Sequence, residues 1–123
     1  MTCNICVYSE GDTQPEFSNE THVSQSRKEA RCTECREAIP VQASYWKIVG
    51  KWEGELMTIR QCECCHEIQQ VFCCEGWVYS ELWEGMEEQA FPQLKMSGEC
   101  WDELSAASKE FLLKKWREWK FGK

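Results

Sequence analysis

CTECREAIPVQASYWKIVGKWEGELMTIRQCECC, Cys32 to Cys65, is the stretch whose reading decides the fold. It opens and closes on a C-x-x-C pair, Cys32 with Cys35 and Cys62 with Cys65, and 26 residues separate the inner two cysteines. Each C-x-x-C bends into a tight turn that aims both sulfurs to one side, so two such pairs supply the four thiolates of one tetrahedral metal site. Between them SYWKIV and ELMTIR are aromatic and β-branched, and they flank GKWEG, where Gly50 and Gly54 are open to positive φ angles. This predicts a β-hairpin that brings the two cysteine pairs together.

Working outward, Cys65, Ile68 and Phe72 recur at spacings of three and four, one face of a short helix that should stop near Gly76. Tyr79, Leu82, Trp83, Met86 and Ala90 form the stripe of a second helix ending before Pro92. Ser105 is the expected N-cap of a third, which carries Phe111, Leu112, Trp116 and Trp119. Upstream, residues 8–30 are polar, rich in turn formers and without apolar period, which predicts loop. The expected fold class is a small α+β zinc-binding domain. Its parts are an N-terminal C-x-x-C with a polar loop (1–30), a treble-clef-like knuckle, hairpin and helix (31–76), and a helical part (77–123). At 123 residues the chain has the size of one domain.

Zinc is the expected ion at Cys32, Cys35, Cys62 and Cys65, while iron in a rubredoxin-like site needs the same spacing. Cys64 lies a residue out of register, and a rival pairing of Cys62 with Cys64 stays open. Cys3 and Cys6 form a third C-x-x-C, half of a second zinc site whose other half would come from Cys73, Cys74 and Cys100, with His22 behind them. His66 and Glu67 suggest the H-x-E element of zinc deaminases, but the cysteine pair precedes the histidine and four thiolates leave no open position for water. His66 therefore reads as a polar helix residue or a spare ligand.

Ten cysteines in a chain with neither a basic n-region nor an apolar h-region at its start point to metal thiolates in a reducing cytoplasm rather than a disulfide scaffold. The net charge of −7 opposes non-specific attraction to nucleic acid. Yet residues 104–123 hold six bases against two acids, and Lys114, Lys115, Arg117 and Lys120 alternate with Trp116, Trp119 and Phe121. Such interleaving can stack on bases, but its commoner meaning is a helix with a buried apolar face and solvated lysines. Trp77, Trp83, Lys114, Lys115, Trp116, Arg117 and Trp119 are the candidate partner-binding residues.

The run from Arg31 to Cys65, followed by FCCEGWVYSELWE, resembles small zinc-binding proteins encoded in bacteriophage and prophage genomes. In those a C-x-x-C, a G-x-W-x-G turn, a second C-x-x-C and an F-C-C-x-G-W segment recur in this order. Here the elements are Cys32 and Cys35, Gly50 to Gly54, Cys62 and Cys65, and Phe72 to Trp77, within roughly residues 28 to 110. Cys64 departs from the pattern. The resemblance implies an intracellular, phage-encoded accessory protein and names no activity. The expected function is a non-enzymatic protein-binding module, zinc-stabilised and without a membrane role, that inhibits a host enzyme or defence complex. The alternative is a nucleic-acid-binding zinc finger or transcriptional adaptor using the basic C-terminal helix.

Overall fold

The computed structural model describes residues 17–73, 81–94 and 99–122. At its centre β4 (Tyr45–Trp52) and β5 (Glu55–Cys62) form the expected antiparallel hairpin, in register from Tyr45 opposite Cys62 to Trp52 opposite Glu55. Glu53 and Gly54 make the turn with φ of 50° and 82°, the two left-handed residues whose twist matches that of the flanking strands. Gly50 has a different role from the one expected of it. It lies inside β4, and a Cβ there would stand 2.6 Å from the Trp52 ring and 2.8 Å from the Phe17 carbonyl oxygen, so the position needs space rather than an unusual φ.

The stretch expected to be loop contains a strand. β1 (Phe17–Val23) pairs antiparallel with β4, giving a three-stranded sheet in the order β1-β4-β5. Six of its seven residues are exposed, so it lacks the apolar alternation that marks a strand in sequence. Pairing with β4 supplies the backbone partners that its own side chains do not advertise. A smaller ribbon, β2 (Ala30–Arg31) with β3 (Ala38–Ile39), holds the Cys32 to Cys35 turn. That turn is closed by Cys32 N–H to the Glu37 carbonyl (3.0 Å) and Arg36 N–H to the Cys32 carbonyl (2.9 Å), with Arg36 at a φ of 64°.

α1 (Glu63–Phe72) follows β5 directly and buries Cys65, Ile68 and Phe72 as their spacing predicts. α2 (Leu82–Gly85) runs on through a π-helical turn (Met86–Ala90) into a 3-10 turn (Phe91–Gln93). Leu82, Met86 and Ala90 are buried along this run, but it does not stop before Pro92. Proline occupies the first turn of the 3-10 segment, where an N–H would have no helical partner to lose. α3 (Glu99–Asp102) was not expected. α4 (Ala106–Phe121) begins at Ser105, whose side chain accepts from the Ser108 N–H, and it packs Leu112 into the core. Gly76, Trp77 and Tyr79 lie outside the described residues.

These elements close around one apolar cluster that includes Cys32, Ile39, Tyr45, Ile68, Phe72, Met86, Phe91 and Leu112. The architecture is small, mixed α+β. Among the described residues no helix is long and apolar enough to cross a membrane.

Candidate metal centre

β5 ends where α1 begins, and Cys62 belongs to both: last residue of the strand and N-cap of the helix. Cys65 follows in the first helical turn, and the β2–β3 turn presents Cys32 and Cys35 from the other side. The four sulfurs lie within 4.8 Å of one another, with Cys35 Sγ 3.9 Å from Cys62 Sγ. A tetrahedral ion with metal–sulfur bonds of about 2.3 Å sets its sulfurs about 3.8 Å apart, so this cluster can take one metal ion. Cys32 and Cys65 are buried and the other two half-buried.

The surroundings favour sulfur as thiolate. Backbone N–H groups of Cys62 and Cys65 donate to the sulfurs of Cys32 (3.4 Å) and Cys62 (3.5 Å), and the Trp83 indole N–H donates to Cys65 Sγ at 3.4 Å. The N-terminus of α1 adds its positive end. Without a cation the four compete for protons. Hydrogen bonds from Cys35, then Cys62 and Cys65, pull the Cys32 thiol far below its ordinary value, while the same network, Cys32 foremost, pushes Cys65 far above. Four thiolates in such a space need a cation between them. A divalent ion would leave the site formally doubly negative, and Lys115 helps to line the small cleft beside Cys35 and Glu34.

Glu34, the residue inside the first C-x-x-C, was not anticipated. Buried to 6 % exposure, its carboxylate accepts from Gln61 Nε2 (3.2 Å) and from the Leu82 N–H (3.1 Å). Gln61 Nε2 also donates to Gln69 Oε1 at 2.8 Å. The carboxylate thus joins the metal turn to β5 and α2, and Gln61 carries the link on to α1. Its partners are 27 and 48 residues away, so no local pattern could have revealed them.

The remaining candidates are not gathered into this centre. Cys64 is half-buried and its thiol is pushed up by burial. Burial, with the charge of Glu34 adding to it, pushes the Cys73 thiol up to about 12. Cys100, buried on α3, departs from expectation: it is disulfide-bonded, so it is neither a free thiol nor a ligand of a second metal site. His66 stacks on Trp46 (4.2 Å, 8° between planes) and meets Glu20 at 3.1 Å, while His22 meets Glu63 at 2.6 Å. Among the described residues one group of three or more metal-ligating side chains exists, the four-cysteine cluster. Cys3, Cys6 and Cys74, expected in a second site, lie outside the described residues.

The basic tail is largely occupied with its own fold. Lys114 and Lys115 reach Glu37 at 3.5 and 3.4 Å, and Lys120 sits over the rings of Trp116 (4.9 Å) and Phe121 (5.7 Å). Arg117 is exposed. Half-buried Trp116 and Trp119, with Phe91, Pro92, Leu94 and Lys120, line an open cleft of about 510 Å³. Trp77 lies outside the described residues.

Comparison of the chain with protein-family models, with curated proteins and with solved structures finds no match in any of the three.

Proposed function

We propose that this chain is a non-enzymatic, zinc-stabilised protein-binding module. The closed donor set carries the reading: four cysteine sulfurs with N–H donors aimed at three of the ligand contacts complete a tetrahedron, and a complete tetrahedron has no place for an activated water. The succession of metal turn, hairpin and helix supports a treble-clef arrangement of that ion. Its work is then to hold three elements together, and function falls to the surface. Internal pairing of Lys114, Lys115 and Lys120 and the net charge of −7 favour a protein partner over nucleic acid. The resemblance to phage-encoded zinc proteins supports an accessory role in a host cytoplasm, directed at a host enzyme or defence complex.

Elemental analysis tests the centre: purified protein should carry zinc, keep it in Cys64→Ser and lose it together with its fold in Cys62→Ser. Iron with thiolate charge-transfer absorption would turn the reading towards redox chemistry. A gel shift tests the partner class, since random-sequence DNA and RNA should bind weakly at about 150 mM salt. Submicromolar, salt-sensitive binding would make the nucleic-acid adaptor the better reading.

A further inference from the structure

The sheet has two faces of opposite character. One carries Trp46, Ile48, Ile59 and Gln61, of which Trp46 stacks on His66 of α1 and Gln61 bonds Gln69 of α1, while Ile48 and Ile59 are buried. The strand register puts the alternate residues on the other face, in rows across β1, β4 and β5; the row nearest the metal cluster, Val23, Tyr45 and Cys62, packs into the apolar cluster, and the face is open only beyond it. Thr21, Lys47 and Arg60 make one row; Phe17, Lys51 and Leu56 make another. The row between them is uncharged. No acid occupies any strand position of this face, although the rest of the chain carries a formal −10 once these three cations are set aside from the total of −7.

Two observations bear on what this face can accept. Lys47 and Arg60 stand directly opposite each other in the ladder, an arrangement of like charges that destabilises a sheet unless something negative lies between them. Among the described residues none of Lys47, Lys51 and Arg60 has an ion-pair partner. At the other row the cation is flanked by exposed apolar side chains, Phe17 at 48 % and Leu56 at 68 % exposure. The complement of this face is negative at one row, and negative with apolar flanks about 14 Å further along, the length of four strand residues.

We propose that the open face of the β1-β4-β5 sheet docks an extended acidic peptide segment of a protein partner, with carboxylates four residues apart and an apolar residue beyond the second. Charge decides against a nucleic-acid strand. A polyanion long enough to run past the edges of the face would meet a chain whose remaining formal charge is −10, whereas a short acidic segment ends where the cations end. The proposal rests on the reading of the chain as a protein-binding module, and it names the chemistry of the partner.

Fluorescence anisotropy with a labelled octapeptide carrying two glutamates four residues apart and a leucine beyond the second tests it on the full metal-loaded chain. Binding should weaken with salt and vanish for the same peptide with lysine for glutamate. Lys47→Glu with Arg60→Glu should weaken it about tenfold or more, and Lys47→Arg should retain it. Unchanged metal content and circular dichroism would show that the variants fold. Equal binding by the reversed variant, tighter binding of an oligothymidine of similar length, or a dimer of the chain that the reversed variant abolishes would each overturn the assignment. Failure of this face alone looks different from failure of the wider reading: a protein partner captured equally by wild type and reversed variant leaves the module intact and removes only this face, whereas submicromolar, salt-sensitive binding of random-sequence DNA or RNA removes the module reading itself.

Discussion

Gly50 is a hydrogen where any other residue would have a side chain, because the Trp52 ring and the Phe17 carbonyl oxygen occupy the space. The ring can shift, but the carbonyl belongs to the backbone of β1 and can move only with the strand. Gly50→Ala should therefore cost about 1–3 kcal/mol, the usual range for overpacking. At Gly54 an added methyl meets nothing within 4 Å, and its cost, about 1 kcal/mol, comes from the φ of 82° alone. Urea unfolding of the two metal-loaded variants should rank Gly50→Ala as the more destabilised; the opposite order would mean that β1 does not pack against this glycine. At this scale the clustering of Cys32, Cys35, Cys62 and Cys65 was legible because tetrahedral metal chemistry dictates their spacing. The glycine was not, since a sequence marks where a side chain is missing without saying whether conformation or space requires it. Glu34 was illegible for a third reason, distance along the chain.

Helices were easier to read than the outer strand. α1 and α4 carry their own evidence, an apolar stripe in the one and a serine N-cap in the other, whereas β1 exists through its ladder with β4. The junction between α1 and α4 shows what holds such elements once formed. Glu67 on α1 accepts from the Ser105 N–H at 3.1 Å, from Ser105 Oγ at 2.7 Å and from Ser108 Oγ, all at the start of α4. Partial burial opposes the charge, but these bonds outweigh it and hold the Glu67 carboxyl below its usual range. A carboxylate here satisfies donors that the first turn leaves unpaired and faces the positive end of the helix. Ser105→Ala should cost about 1 kcal/mol. With Glu67→Gln added, the double variant should lose less than the sum of the single losses by about 0.5 kcal/mol or more. Additivity within experimental error in a denaturant-monitored cycle would show that the carboxylate does not anchor α4.

For the molecule as a whole the candidate metal centre stands where the β2–β3 turn, the end of β5 and the start of α1 meet, and two of its four cysteines, Cys32 and Cys65, belong to the main apolar cluster. A core assembled around bound thiolates depends on the ion in a way that scattered buried thiols would not, because ligands ordered by the metal are disordered without it. Removal of the ion by a strong chelator at neutral pH should abolish cooperative thermal unfolding and most near-ultraviolet dichroism of the tryptophans, and readdition of zinc under reducing conditions should restore both. The pH dependence has a definite sign. A thiol in the unfolded chain titrates at about 8.5, and a metal-bound thiolate titrates well below that. The centre's contribution is thus fully present above about 8.5 and is lost as pH falls through the metal-bound values, with protons taken up as the ion leaves. Acid titration followed by a zinc-sensitive dye should show metal release and loss of tertiary dichroism in the same pH interval. A chelated protein with an unchanged melting temperature, or metal release that leaves the tryptophan signal intact, would mean that the apolar cluster holds the fold alone and that the ion is a guest in it.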